Sequence, residues 1–145
     1  MLTRRGEPVD LLLALRVAFW IAAVTALVGT MKLPRALALL TPRRPRRRGA
    51  PSEASTRAGL VTRYANALLR WRVFGGRPIC WKRALVVYRM LRGEGEPVQL
   101  VIGVRKDDAA ALHAHAWVSL EGIPLGEERA PEFRVVLVYP PPVTP

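Results

Sequence analysis

Apolar positions along this chain fall into three regimes. From residue 10 to 31 they are nearly continuous: Leu11, Leu12, Leu13, Leu15, Val17, Phe19, Trp20, Ile21, Val24, Leu27, Val28 and Met31. Three readings fit such a run. A secretory signal is the weakest, because Pro- and Arg-rich sequence follows without a small-residue cleavage site. A membrane span fits the length, but Arg16 inside it is costly unless its stem snorkels. The favoured reading is a helix buried in the protein or covered by a partner, continuing through Leu33 and punctuated by Pro34. Membrane contact through residues 10–31 stays open, since the arginine cluster that follows suits an anionic cytoplasmic surface.

The second regime has helical periodicity. Leu60, Tyr64, Ala67, Leu68 and Trp71 recur at spacings of three and four. They predict a helix capped by Ser55 or Thr56 and running to about Val73. Gly75-Gly76-Arg77-Pro78 breaks it, and a second helix is expected from Cys80 to Arg92 with Ala84, Leu85, Tyr88 and Leu91 inward. Gly93 and Gly95 end that helix.

The third regime is β-rich. Residues 98–104, 115–120, 123–125 and 134–139 read as strands, with Glu121-Gly122 as the turn into the short third one. Helices followed by clustered strands make this an α+β chain rather than an alternating α/β one. No internal repeat is present.

Charge divides the 145 residues unevenly. Residues 1–79 hold 15 Lys+Arg against 3 acids, whereas residues 80–145 hold 8 against 8. The whole excess of +12 therefore lies in the first half, which calls for an acidic partner. Residues 43–51, with five arginines and two prolines, read as a solvated tether. Nucleic-acid binding is disfavoured, since no aromatics interleave and no binding motif follows. The expected organisation is an apolar helical segment (1–42), a basic linker (43–56), a catalytic-type domain (57–139) and a Pro-rich tail (140–145).

Cys80 is the only cysteine, which excludes an intramolecular disulfide framework. It falls where a helix should open, and free N–H groups there favour a thiolate and can stabilise an oxyanion. Lys82 and Arg83 add positive charge in the same turn. The alternative is an inert cysteine packed under the helix. The only histidines, His113 and His115, are two apart on a strand and so share a face. Either can act as general base to the thiol. A metal held by Cys80, His113 and His115 matches no common zinc spacing. An acid should orient the imidazole. Glu127 suits best, because a hairpin through Gly122 returns residues 125–127 beside His115; Glu121 and Glu128 are the alternatives. Asp107 and Asp108 read as a loop tip.

Three blocks taken together, Cys80-Trp81-Lys82-Arg83-Ala84-Leu85, Leu100-Val101-Ile102-Gly103-Val104 and His113-Ala114-His115-Ala116-Trp117-Val118, carry a family resemblance. The chain resembles the transglutaminase-like leader peptidases of lasso-peptide biosynthesis over roughly residues 57–130. The resemblance implies a transglutaminase-like, papain-like core with Cys80 as nucleophile and His115 as base. It also implies an acid about a dozen residues after the histidine. Glu127 stands there, where many members have Asp, and Ser119 stands where members often carry an acid. It implies no cofactor. The implied partners are a precursor peptide, a separate leader-recognition protein and an ATP-using macrocyclase, because residues 1–56 leave no room for a fused recognition domain. The implied location is the cytoplasm, with membrane association open. A non-catalytic scaffold of the same fold is the competing expectation.

Overall fold

The computed structural model describes residues 10–42, 51–72, 79–127 and 131–141. The arginine run 43–48, the Gly-Gly-x-Pro break and Glu128 lie outside these. Four helices precede four strands: α1 (Leu11–Thr30), α2 (Leu33–Leu40), α3 (Pro51–Leu69), α4 (Cys80–Gly93), β1 (Gln99–Lys106), β2 (Leu112–Leu120), β3 (Ile123–Leu125) and β4 (Arg134–Tyr139). This is the α+β arrangement expected from the pattern.

The N-terminal helix is shorter than expected. Asp10 caps α1 by accepting a hydrogen bond from Leu13 N at 3.0 Å, and the helix ends at Thr30 rather than running through Leu33. Pro34 is the reason. It lacks the N–H that would bond Thr30, and its ring would crowd that carbonyl. The chain therefore turns extended at Met31 and Lys32, and Pro34 sits in the first turn of α2, where a missing N–H costs nothing. Leu13, Val17, Ile21 and Val24 form a buried stripe packed on α3 and α4, so α1 is built into the common core.

The α3 helix also departs from expectation. It starts at Pro51, a turn before Ser55 and inside the stretch read as linker, and it ends at Leu69. Its buried face is Ala54, Ala58, Val61, Ala65 and Leu69. Of the bulky set expected to face inward, Leu60, Tyr64 and Leu68 are half-buried, Ala67 is exposed, and Trp71 is 63% exposed beyond the helix end. Small side chains win because they let α3 approach its neighbours closely, whereas bulk alone suggested the face about one residue round.

On α4 the four expected positions are buried, and so are Val86, Val87 and Met90. The helix is enclosed by α1, α3 and the sheet, hence apolar nearly all round. Tyr88 ties α4 to the segment after α2 through a hydrogen bond between its Oη and Thr41 Oγ1 at 2.8 Å.

The sheet has strand order β3-β2-β1-β4, and every pair is antiparallel. β2 begins at Leu112, three residues before its expected start, because Arg105 and Lys106 pair with His113 and Leu112. Leu100, Ala116, Val118 and Leu120 join the helices in the core, with Ile102 and Leu137 packed against it. His115 and Trp117 occupy the alternate set of β2. β3 pairs only with the end of β2, from Val118 to Leu120. Among the described residues, the rest of β2 has no strand on that side.

Candidate active site

Cys80 is the first residue of α4, half-buried, with Ile79 as N-cap. Ile79 offers no side-chain oxygen to cap that end, and among the described residues no capping oxygen engages the first-turn N–H groups. Trp81 packs against the core and so fixes the rotation of this turn.

His115 lies opposite Gly103 across the β1–β2 ladder. Its ring stacks on Trp117 at 5.8 Å and on Phe133 at 5.3 Å. Gly103 is what makes room for the stack. A Cβ there would come within 2.6 Å of Phe133 Cβ and 3.0 Å of the Trp117 ring. The glycine of the Leu-Val-Ile-Gly-Val block thus serves the histidine by being absent as a side chain.

Glu127 stands two residues beyond β3 and faces His115. Its Oε2 lies 3.3 Å from His115 Nε2, and its Oε1 accepts a hydrogen bond from Arg83 at 3.0 Å. Both carboxylate oxygens are therefore committed, one to each side of the site. With Nε2 turned to the acid, Nδ1 is the nitrogen left to serve a thiol. Gly126 sets this position up. It has φ of +69°, a left-handed conformation that suits glycine, and a Cβ would meet Thr62 Oγ1 at 2.5 Å. We expect Gly126→Ala to cost about 1–3 kcal/mol and to move Glu127 away from His115. Unfolding midpoints and turnover on one preparation check both effects.

The sequence predicts Arg83 as a charge beside the thiol. The structure commits it to Glu127, with side-chain exposures of 19% and 15% for the pair. It is three residues after Cys80, so one helical turn separates nucleophile candidate and carboxylate anchor. The signal in the sequence was that spacing, but only the fold shows where the guanidinium points. Arg83→Gln is expected to lower turnover by up to about 10²-fold through misplacement of Glu127, with KM little changed and partial recovery in Arg83→Lys. Steady-state kinetics on the three proteins test this.

His113 goes elsewhere. Its Nε2 lies 2.8 Å from Asp107 Oδ2 at the exposed tip of the β1–β2 hairpin. That hydrogen bond, helped by the Ala111 N–H, holds the Asp107 carboxyl below its ordinary range. A depressed acid stabilises the hairpin tip above its unfolded pKa, and the contribution fades as pH falls through the folded value. His113 and His115 are thus held by different carboxylates. Glu121 is exposed at the turn with φ of +51°.

A cavity of about 840 Å³ opens beside His115 and Glu127, lined also by Arg83, Arg105, Asn66 and Phe133. Asn66 Oδ1 is buried and has no hydrogen-bond partner among the described residues. Cys80 is not part of this lining, and no hydrogen bond joins its Sγ to His115 among the described residues. Asn66 and Phe133 carried no signal in the sequence, since each lies far along the chain from Cys80 and His115.

A helix that opens on a cysteine, laid on an antiparallel sheet whose histidine is held by a carboxylate, is an α+β arrangement of transglutaminase-like type. The chain belongs to the transglutaminase-like superfamily, whose family model matches residues 15–138. The superfamily includes cysteine peptidases. The match begins inside α1, in keeping with the packing of that helix into the core. No curated protein and no solved structure matches the chain significantly.

Proposed function

We propose that the protein is a cysteine peptidase that removes the leader from a lasso-peptide precursor. The observation that carries a catalytic reading is Glu127, which links His115 to the helix opening on Cys80 by way of Arg83. A scaffold with no chemistry to perform has no need to orient an imidazole in this way. The leader-peptidase reading rests in addition on the three sequence blocks.

In this reading Cys80 Sγ, as thiolate, attacks the scissile carbonyl carbon. The first-turn N–H groups of α4 stabilise the oxyanion. Collapse breaks the C–N bond, the leaving amine takes a proton from the His115 imidazolium, and the acyl group stays on Cys80 as a thioester. His115 then takes a proton from water, whose oxygen attacks the thioester, and the leader leaves as a carboxylate with Cys80 restored. Glu127 holds the ring with Nδ1 toward the thiol. In this reading Cys80 Sγ and His115 Nδ1 come within hydrogen-bonding reach only when peptide is bound, since catalytic hydrogen bonds often form fully on substrate binding.

The proposal includes a cytoplasmic location and three partners: the precursor, a separate leader-recognition protein and an ATP-dependent macrocyclase. The experiment is cleavage of a precursor peptide by the full chain together with the recognition protein, followed by mass spectrometry. A single cut releasing the intact leader supports the proposal. No cut in the presence of a competent recognition protein overturns it in favour of a non-catalytic scaffold. His113→Ala should retain turnover within about threefold, far from the ~10²–10⁴-fold cost of a lost general base. Equal losses at His113 and His115 would point to a shared metal instead.

A further inference from the structure

The α1 helix has a second face. Opposite its buried stripe, Leu12, Leu15, Phe19, Ala22 and Ala26 recur at spacings of three and four and are all exposed. Leu12, Leu15 and Phe19 are 69%, 60% and 62% exposed. No charged or hydrogen-bonding side chain interrupts these positions in a helix about 30 Å long. Leu39 on α2 is likewise 63% exposed.

Cations border this face. Arg16 lies on its flank, and Lys32 and Arg35 are exposed just past the helix end, while Asp10 is engaged in capping. Arg16 acts on Arg89 of α4, whose guanidinium sits 4.3 Å from the Trp20 ring. Neither arginine has an acidic partner among the described residues. Burial and the Arg16 charge hold the Arg89 pKa below its ordinary value, so the pair is electrostatically unfavourable as it stands. An anion beside the two would relieve it.

We propose that α1 is an in-plane membrane helix, its outer face entering the headgroup–acyl boundary of an anionic phospholipid bilayer while Arg16 and Arg89 engage lipid phosphates at its edge. The inner stripe keeps its contacts with α3 and α4, which a spanning helix would have to surrender. A protein interface carries a polar rim and mixed hydrogen-bonding groups. Here the border is cationic, and residues 1–79 hold 15 Lys+Arg against 3 acids, which matches a polybasic element reading anionic lipid. This inference goes beyond the proposed peptidase activity and does not depend on it.

The test is flotation of the purified full chain with vesicles of phosphatidylcholine alone or mixed with phosphatidylglycerol. The protein should float with the mixed vesicles and stay behind with phosphatidylcholine, and added salt should release it. The double variant Leu15→Glu, Phe19→Glu should lose flotation while keeping its helical circular dichroism. Leu12→Gln, a milder change on the same face, should weaken it in the same direction. Arg16→Gln and Arg89→Gln should each reduce binding roughly fivefold, the equivalent of about 1 kcal/mol per cation at the surface. Failure of the wild type to float with mixed vesicles overturns the proposal. So does unchanged flotation of the double variant or of both arginine variants. Resistance to alkaline carbonate would mean a spanning helix, and vesicle-independent dimerisation abolished by the double variant would mean a second copy on this face. Either outcome overturns the in-plane reading.

Discussion

Under the proposed function, Cys80→Ala is expected to eliminate precursor cleavage and His115→Ala to lower it by ~10²–10⁴-fold, both with the fold intact. Cys80 is half-buried at the mouth of α4 and contributes little to the core, so its truncation removes the nucleophile without opening a cavity. His115 is partly exposed, and its loss leaves Trp117 and Phe133 to close on each other from a centroid distance of 6.4 Å. The two roles can be separated because Cys80 is the only cysteine in the chain. An alkylating agent should label it in the wild type, more slowly in His115→Ala, and at an intermediate rate in Glu127→Gln, where the ring loses its orienting carboxylate. Intact mass gives the labelling rate, and circular dichroism shows whether the fold survives. Near-full turnover in Cys80→Ala would remove the nucleophile assignment. Equal labelling rates in these three proteins would remove the base.

Tyr88→Ala is expected to have the largest effect on stability, about 3–5 kcal/mol for loss of a fully buried aromatic side chain. Tyr88 has no exposed surface, meets Tyr139 of β4 edge-on at 6.4 Å and shares a hydrogen bond with Thr41. It therefore joins α4, the last strand and the N-terminal helical segment at one point. Tyr88→Phe keeps the ring and loses only the hydroxyl contact, about 0.5–1.5 kcal/mol. Denaturant unfolding of both variants measures the difference. A loss below about 1 kcal/mol in Tyr88→Ala would mean that the three elements are not held together at this residue.

How much of this was legible in the sequence depends on whether a residue's role is local. The strand Arg134–Tyr139, the short return strand Ile123–Leu125 and the start of α4 at Cys80 were read correctly, because alternation and Gly or Pro punctuation act within a few residues. The pairing of Glu127 with His115 was within reach for the same reason. A hairpin through Gly122 leaves only one way for the chain to return. Ser55 and Thr56 were poor guides to the start of α3, since a capping residue marks a helix end only where the upstream residues cannot continue it, and 51–54 can.

By itself, the sequence determined the α+β class, the order of the elements and the identity of Cys80, His115 and Glu127 as candidates for one site. Hydrophobic period, turn chemistry and the reactivity of each side chain are properties of short stretches. Tertiary structure alone decided which face of α3 is buried and that Arg83 anchors Glu127. Each of these is a choice between neighbours that local sequence leaves nearly equal in energy. Such a choice is settled only when residues tens of positions apart, such as Arg83 and Glu127, are brought within hydrogen-bonding distance.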